Sequence, residues 1–322
     1  MGVLVLSEND VRAVLDMESC VAAMEDVLSE LARGDLFNPL RLIVVPPGPA
    51  ALGLMPAYRG GDAPSFALKE IVVAPGNSAR GLDPHQGAVL LHNGGTGELV
   101  AILNASPVTE IRTAAVSAAA TKALARPGSR TVAVLGSGIQ GRSHVEAMQT
   151  VIDDPIIRIW SRNPAHAEAL ALETHSLVAT SVEEAVDGAD VVCTATSARE
   201  PIVELGWLAP GTHINAAGAF PDGTSRELSS ETVAAATLVV DRRESTLNES
   251  GDYLQAVAEQ GIGPDHIVAE LGDVLVGRHP GRRSEVELTL FKSMGIAVED
   301  LAAAELCATR ARERGIGTEV DF

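Results

Sequence analysis

The chain has 322 residues and a formal net charge of −19, with 46% hydrophobic but only 3% aromatic residues. This length suits two domains of ordinary size, and the negative charge argues against nucleic acid and anionic membrane surfaces as partners. The scarcity of aromatic residues predicts a core of Ala, Val, Leu and Ile, as in helices packed on a parallel sheet.

The cysteines and the hydropathy pattern point to a reducing, aqueous compartment. Cys20, Cys193 and Cys307 are an odd number and lie far apart in the sequence, so they predict neither a disulfide framework nor a metal site. No signal-peptide pattern and no apolar run of membrane-spanning length is visible. We therefore expect a cytoplasmic protein without a metal.

The first third of the chain is predicted to fold separately. Val3–Leu6 should be a strand, and two short amphipathic helices should follow and end near Gly34. Further strand-like segments lie at residues 41–45, 51–55, 66–73, 87–92 and 99–103. Consecutive strands without intervening helices favour a mostly antiparallel sheet, and the pattern changes near residue 113.

Three cations in this part are candidate substrate ligands. Arg41 and Lys69 each interrupt an apolar strand pattern, and Arg112 precedes an Ala-rich helix predicted at residues 114–124. Each could simply be a solvated side chain, since Lys and Arg are mostly exposed. The pair Arg112-Thr113 favours a bound anion, because a cation, a hydroxyl and a helix N-terminus would coincide there.

The middle of the chain opens with a nucleotide-binding pattern. Residues 131–148 read TVAVLGSGIQGRSHVEAM, a strand, a glycine-rich turn and a helix without a break. In such a unit Gly136 makes the tight turn, Gly138 lets the backbone approach a pyrophosphate, and Gly141 lets the helix pack on the strand. An ordinary tight connection is the alternative, but the strand before the turn and the helix after it favour a dinucleotide.

The residues at the end of the next strand, Ile156–Trp160, indicate whether the cofactor is NAD(H) or NADP(H). An acidic residue there would bind the ribose 2′-hydroxyl of NAD(H), whereas a nearby arginine accommodates the 2′-phosphate of NADP(H). The sequence has Ser161-Arg162-Asn163 and no acid. It therefore favours NADP(H), with NAD(H) possible if Arg162 is merely an exposed loop residue.

Strands and helices then alternate over about 110 residues, which predicts a doubly wound parallel sheet. Predicted strands lie at residues 177–180, 189–194, 213–217 and 238–241, with a short helix at 182–188. Ligands of such sheets bind at the carboxyl ends of the strands. Thr194, at the end of one of them, is therefore a candidate cofactor contact.

Several blocks together resemble the ornithine cyclodeaminase/mu-crystallin family. They are LMPAY at 54–58, APGNSARGL at 74–82, TEIRTAAVSA at 109–118, GSGIQGRSH at 136–144 and LTLFKSMGIAVEDLAAA at 288–304. The similarity covers essentially the whole chain, and the blocks outside the nucleotide motif make it specific.

The resemblance implies an α/β fold: a Rossmann doubly wound parallel sheet plus a smaller mixed α+β domain for substrate binding and dimerisation. The expected Rossmann NAD(P)-binding domain is 114–305; the smaller domain is 1–113, to which a C-terminal helix at 306–322 returns. It also implies a homodimer and a substrate carboxylate held by Arg41, Lys69 and Arg112. Cofactor contacts are expected at Thr113, Gly136, Gly138, Ile139, Gln140, Gly141, Ser161, Arg162, Thr194 and Ser293.

Members of the family differ in chemistry, and two departures bear on the choice. Cyclodeaminases carry a Glu at the position of Gly53 and an Asp at the position of Phe220, and both acids serve proton transfer or hold the amine. Their absence argues against ornithine cyclisation. Asp222 is the nearest carboxylate and is either a relocated proton donor or a turn residue.

The predicted function is an NAD(P)H-dependent reductase of small imino acids, such as pyrroline- or piperideine-2-carboxylate, or the reverse dehydrogenation of an amino acid. Lys69 and Asp222 are the candidate catalytic residues, and the partner is a small molecule with a carboxylate. An ornithine cyclodeaminase-type lyase with catalytic NAD, an alanine dehydrogenase and a non-catalytic NADP-dependent binding protein are the alternatives.

Overall fold

The computed structural model describes residues 2–83, 85–218 and 224–322. Its first elements, in chain order, are β1 (Val3–Leu6), α1 (Glu8–Val14), α2 (Met17–Arg33), β2 (Leu36–Phe37), β3 (Leu42–Val44), β4 (Ala51–Arg59), β5 (Ser65–Val73), β6 (His85–Asn93), β7 (Leu99–Asn104) and α3 (Ala105–Leu124). Next come β8 (Thr131–Leu135), α4 (Ile139–Val151), β9 (Ile156–Trp160), α5 (Pro164–Thr174), β10 (Leu177–Val178), α6 (Val182–Val186), β11 (Val191–Thr194) and β12 (His213–Ala216). The remaining elements are α7 (Ser230–Ala235), β13 (Thr237–Val240), α8 (Arg243–Glu249), α9 (Gly251–Gln260), β14 (Ile267–Glu270), α10 (Leu271–Leu275), β15 (Thr289–Lys292), α11 (Ala297–Arg314) and β16 (Thr318–Val320).

The chain divides into two compact units. Unit 1 comprises Met1–Arg112 and Ile296–Phe322, and unit 2 comprises Thr113–Gly295. The second division thus falls at 295, not at the expected 305, and all of α11 belongs to unit 1. The segment 306–322 is not a single helix, because α11 ends at Gly315, whose φ of +63° stops it, and β16 follows.

Unit 1 is built on a mixed sheet, as the run of strands predicted. Its order is β16-β1-β7-β6-β5-β4-β2, with β3 also paired to β4. Only the pair β1–β7 is parallel among the described strands of this sheet. Helices α2 and α11 pack on one another, and α11 also packs on β4, β5 and β6. The C-terminal helix is therefore placed directly against the strand that carries Lys69.

Unit 2 is the predicted doubly wound parallel sheet. Its order is β10-β9-β8-β11-β12-β15-β13-β14, and every described pair is parallel. The central strands β11, β12 and β15 are buried along their whole length, as in parallel sheets covered on both faces. The chain order reverses between β8 and β11, so the carboxyl ends of these two strands form the switch point where ligands of such sheets bind.

Candidate active site

The glycine-rich turn between β8 and α4 is tightly packed at two of its three motif glycines. Gly136 has a φ of +123°, and a Cβ atom there would lie 2.4 Å from the carbonyl oxygen of Ala195. A Cβ atom on Gly141 would lie 2.1 Å from the carbonyl oxygen of Gly136. At Gly138 no atom of the described residues lies within 4 Å of the Cβ position. The middle glycine therefore borders open space, as expected where a phosphate approaches the backbone.

The first turn of α4 offers hydrogen-bonding groups to a ligand. Gly138 is the N-cap and provides no side-chain cap, so the first N–H groups of the helix have no intrahelical partner. Ile139 is half exposed, and the buried Oε1 atom of Gln140 has no hydrogen-bond partner among the described residues. A dinucleotide fits this arrangement, because its pyrophosphate can accept from the N–H groups and a ribose hydroxyl can donate to Gln140.

The end of β9 carries the residues predicted to contact the adenosine ribose. Ser161 is half-buried, and its Oγ atom accepts a hydrogen bond of 2.8 Å from Ser137 in the glycine-rich turn. Arg162 is exposed and makes no ion pair within the described ranges. A guanidinium in this position is available to a 2′-phosphate.

Lys69 is fully buried on β5 and paired with a carboxylate. Its side chain is 1% exposed, and its Nζ atom lies 2.9 Å from Oδ1 and 2.9 Å from Oδ2 of Asp300 on α11. The same ammonium donates to Oγ1 of Thr109 at 3.4 Å. A charged lysine at such a depth is stable only with compensating partners, so its position is defined by Asp300.

Arg112 lies in the middle of α3 and binds two neighbouring carboxylates. Its Nη1 atom lies 2.7 Å from Oε2 of Glu299, and its Nε atom lies 3.0 Å from Oδ1 of Asp300. All three side chains are buried. Asp300 therefore bridges Arg112 and Lys69 and holds the two cations together.

Arg41 joins Lys69 and Arg112 in what we call the cation cluster, defined by these three residues. Arg41, directly before β3, is half-buried and close enough for its charge to lower the pKa of Lys69. Three cations brought together from separate segments of the chain suit the carboxylate of a ligand, to which Arg offers bidentate donors.

Burial changes the protonation of the cluster. Desolvation lowers the pKa of Lys69 to about 8, with Arg112 and Arg41 acting in the same direction and Asp300 opposing them. Burial acts to raise the pKa of Asp300, but Arg112 and Lys69 outweigh it and hold that pKa below its usual value. Asp300 is therefore a permanent anion at neutral pH, whereas Lys69 can exchange its proton near that pH.

In unit 2, Thr194 is buried and donates to a carboxylate that the sequence did not single out. Its Oγ1 atom donates to Oε2 of Glu227 at 2.6 Å, and the backbone N–H of Gly218 donates to the same oxygen at 3.0 Å. Oε1 of Glu227 accepts from both N–H and Oγ1 of Thr196 at 2.7 Å. Glu227 thus joins the residues that directly follow β11 to Gly218, which lies two residues after β12.

Ser293 and Thr113 are also buried. The hydroxyl of Ser293 donates to Oδ2 of Asp241 at 3.3 Å, and this oxygen also accepts from the backbone N–H groups of Met294 and Gly295 at 2.6 and 2.7 Å. Asp241 thereby stabilises the turn after β15. Cofactor contacts by Ser293, Thr194 and Thr113 stay predictions.

Comparison with known proteins identifies the chain. The model of the ornithine cyclodeaminase/mu-crystallin family matches residues 2–315. The chain belongs to this family.

Relatives in the family span the chain almost completely. The ketimine reductase mu-crystallin of Mus musculus is 40% identical over 309 residues, which cover 94% of this chain and 95% of that protein. The structure of Thermococcus litoralis Δ1-pyrroline-2-carboxylate reductase in complex with NADH and L-proline has a TM-score of 0.93, 35% identity and coverage of 98% and 100%. An archaeal alanine dehydrogenase dimer with bound NAD has a TM-score of 0.94, 29% identity and full coverage of both chains.

One departure from the family's cyclodeaminases lies on the described part of the chain. Gly53 on β4 pairs with Ile71 on β5, two residues from Lys69, so positions 53 and 69 face the same side of the sheet. A Cβ atom at Gly53 would lie 3.4 Å from Ile71 and 3.5 Å from Ile43. Apolar side chains thus surround the place where a cyclodeaminase carries its Glu.

The expectation that Arg112 stands at a helix start is wrong. Helix α3 begins at Ala105, so Arg112 and Thr113 are helix-interior residues and no helix N-terminus adds to the cation cluster. Asp222 and Phe220 lie outside the described residues. Among the residues that the structure does describe, no group of three or more His, Cys, Asp or Glu could hold a metal ion, and no helix is long and apolar enough to cross a membrane.

Proposed function

We propose that the protein is an NAD(P)H-dependent reductase of small imino acids, with a cyclic ketimine such as pyrroline-2-carboxylate as substrate. The cation cluster carries the proposal, because it brings Arg41, Lys69 and Arg112 together where the carboxylate of such a compound can be bound. Relatives support it: one is a ketimine reductase, and another is a pyrroline-2-carboxylate reductase whose complex holds NADH and L-proline.

The residues of unit 1 bind and orient the substrate in this proposal. Arg112 and Arg41 donate to the carboxylate, and Lys69 adds a charge that offsets the desolvation of the anion. Reduced nicotinamide, when bound, supplies the hydride that the imine carbon accepts. Fixed orientation of the imine then contributes much of the rate, since hydride transfer needs close contact and alignment.

Proton transfer falls to a group that titrates near neutral pH. A protonated imine accepts hydride better than a neutral one, so the site needs a proton source. Lys69 fits this role, because its Nζ atom has a pKa of about 8 and is held by Asp300. Asp222 is the second candidate named by the sequence.

We assign the nicotinamide dinucleotide to the glycine-rich turn of unit 2 and infer a preference for NADP(H). The exposed Arg162 and the lack of an acid after β9 support the phosphorylated cofactor. The NADH and NAD complexes of two relatives keep NAD(H) as the alternative.

We infer the oligomeric state from a relative and the cellular compartment from the cysteines. The archaeal relative described as a dimer supports a homodimer here, with unit 1 as the dimerisation domain. Cys20, Cys193 and Cys307 are buried free thiols, which suits the reducing cytoplasm.

A paired assay tests this function. We expect loss of NADPH absorbance with pyrroline-2-carboxylate and formation of proline, with slower turnover from NADH. Ornithine with NAD⁺ should release no ammonia, because the Glu of the cyclodeaminases is Gly53 here. Ammonia release without net cofactor reduction would establish the lyase instead, and cofactor binding without any turnover would establish a binding protein.

Because one relative is an archaeal alanine dehydrogenase, the assay should also include the corresponding reaction. Pyruvate with ammonia and NAD(P)H should give a lower kcat/KM than the cyclic imine, whose carbon–nitrogen double bond is already formed. A preference for pyruvate with ammonia would assign the protein as an alanine dehydrogenase.

The pH dependence of carboxylate binding tests the role of Lys69. Furan-2-carboxylate is a suitable probe, because it has the ring and the carboxylate but no basic nitrogen. Lys69 is cationic below its pKa of about 8 and neutral above it. The dissociation constant should therefore be constant below this pKa and rise above it, by at most about tenfold for each pH unit, until it reaches the weaker value of the protein with neutral Lys69.

Calorimetric titration in the presence of the oxidised cofactor measures this profile. The groups that face Lys69 are Asp300, Thr109, Arg112 and Arg41, and the lowered pKa of Asp300 keeps that carboxylate ionised over this range. Lys69→Met should bind weakly and without a break near pH 8. A wild-type profile without that break would exclude Lys69 from the carboxylate site.

A further inference from the structure

The carboxyl ends of three adjacent strands in unit 2 are tied together by one buried side-chain network. The strands are β11, β12 and β15, which neighbour one another in the sheet. The network consists of Glu227, Lys292 and Asp252, and each of these residues is at most 2% exposed. Buried ion pairs contribute little to stability. Three buried charged side chains in contact therefore suggest a role other than stabilising the fold.

Each carboxylate oxygen of Glu227 accepts two hydrogen bonds from residues at or after the ends of β11 and β12. Its four donors are the N–H and hydroxyl of Thr196, the hydroxyl of Thr194 and the N–H of Gly218. Two of the four are backbone N–H groups, which cannot reorient if the acceptor changes. A Cβ atom on Gly218 would lie 2.4 Å from the Glu227 carboxylate, so the approach requires glycine.

Asp252 fixes the backbone at Glu227, and Lys292 binds the carbonyl group of Gly218. Oδ1 of Asp252 accepts from the backbone N–H groups of Glu227 and Leu228 at 2.8 and 3.0 Å. Lys292, the last residue of β15, lies 2.9 Å from Oδ2 of Asp252 and donates to the carbonyl oxygen of Gly218 at 2.7 Å. The peptide groups on both sides of Gly218 are therefore held by charged side chains.

The loop held at Thr196 also touches the glycine-rich turn. The carbonyl oxygen of Ala195 is the atom against which Gly136 packs so closely that no Cβ atom fits. The switch point lies at this contact between the loops after β8 and β11. In a doubly wound sheet one mononucleotide binds on each side of the switch point, and the adenosine ribose is placed at the end of the second strand, here β9.

We propose that Glu227 is a positioning residue for the nicotinamide half of the cofactor: it holds Thr196 and Gly218, which follow β11 and β12, in the positions that receive this half. The proposal rests on the assignment of a nicotinamide dinucleotide to unit 2. Lys292 and Asp252 support Glu227 by compensating its charge and fixing its backbone. Burial raises the pKa of Glu227, and the Lys292 ammonium opposes this effect.

The variant Glu227→Gln tests this role with minimal change of shape. An amide presents one N–H₂ group where the carboxylate presents an acceptor, and that group must face a backbone N–H of either Thr196 or Gly218. One loop is then displaced. We expect the dissociation constant for NADPH, from fluorescence titration, to rise about 10- to 100-fold, as for loss of a charged hydrogen bond.

Binding of a half-cofactor separates positioning from a general loss of structure. Adenosine 2′,5′-bisphosphate occupies only the adenosine side, so Glu227→Gln should bind it within about twofold of wild type, whereas global damage weakens both ligands. The matched control is Glu259→Gln, which removes a surface carboxylate paired with Arg226 at 2.8 Å and should change neither ligand.

The possible results distinguish failure of the proposed function from failure of the positioning role. If wild-type protein binds neither NADPH nor NADH, the proposed function fails. If it binds them and Glu227→Gln binds NADPH equally well, or loses both ligands in parallel, the positioning role is refuted. Should Glu227→Gln not fold, Thr196→Val removes one hydroxyl donor and leaves the carboxylate; it should weaken NADPH selectively by a smaller factor, and an unchanged ratio of the two affinities refutes the proposal.

Discussion

Replacement of Lys69 by methionine is expected to lower kcat/KM for pyrroline-2-carboxylate by about 100- to 1,000-fold, the range seen when one partner of a buried charge pair is removed. Methionine keeps much of the length and volume of the buried side chain but carries no charge. The change also leaves Asp300 with only Arg112 as a cationic partner. We therefore expect the free energy of unfolding to fall by about 3–5 kcal/mol.

The double variant Lys69→Met/Asp300→Asn distinguishes these two effects. It removes one positive and one negative charge, so stability should largely return, as measured by urea unfolding. The kcat/KM should stay low, because the lost cation is not replaced. Lys122→Met, at an exposed position of α3, is the control for the substitution itself and should affect neither quantity. If Lys69→Met kept kcat/KM within about threefold, Lys69 would have no part in substrate binding or proton transfer.

Two alanine substitutions in the glycine-rich turn should affect different properties, one the affinity for NADPH and the other the stability of the fold. Gly138→Ala should weaken NADPH binding about 100-fold, because the new methyl group enters the open space assigned to the pyrophosphate. Its backbone is extended, with φ −78°, and no atom of the described residues lies within 4 Å of the Cβ position, so folding should be unaffected. Gly141→Ala should lower the free energy of unfolding by about 1–3 kcal/mol, because its Cβ atom would lie 2.1 Å from the carbonyl oxygen of Gly136.

Fluorescence titration with NADPH and urea unfolding of both variants provide the measurements. Gly138→Ala should unfold like wild type, and Gly141→Ala should unfold at a lower urea concentration. Wild-type affinity in Gly138→Ala would show that the phosphates lie elsewhere. Gly263→Ala, another glycine with no atom near its Cβ position within the described part of the chain, is the control and should leave affinity unchanged.

The parts of the fold that depend on local pattern were predictable from the sequence. The strand, glycine-rich turn and helix at 131–148 and the strand Ile156–Trp160 are confirmed, because apolar runs and glycines punctuate the chain there. The parallel sheet of unit 2 and the mostly antiparallel sheet of unit 1 are confirmed for the same reason. Local periodicity is enough where each strand is bounded by its own turn.

The start of α3 was not predictable in this way. The Ala-rich composition that predicts the helix begins only at Ala114, whereas Glu110 and Arg112 precede it. In the structure both side chains are buried, and Arg112 is neutralised by Glu299 and Asp300, 187 and 188 residues away in the chain. Partners at such separation leave no trace in a window of neighbouring residues.

The same limit explains why the supporting carboxylates were missed. Arg41 and Lys69 stood out because they interrupt apolar strand patterns, and Arg112 because it precedes an Ala-rich segment. Glu299 and Asp300, in contrast, look like ordinary residues in the first turn of a helix. Glu227 lies in a polar stretch between predicted elements and has no distinctive neighbours. Their importance depends on burial and on what they contact, which one sequence does not encode locally.

The division of unit 1 into two segments has a consequence for the order in which the protein matures. Residues 296–322 leave the ribosome after the whole of unit 2, and they bring the carboxylates that neutralise Lys69 and Arg112. Unit 2 is continuous in sequence and can adopt its fold on the nascent chain. Until α11 arrives, the sheet of unit 1 lacks the carboxylates that compensate its two buried cations, so we expect unit 1 to become compact only after unit 2 has been synthesised.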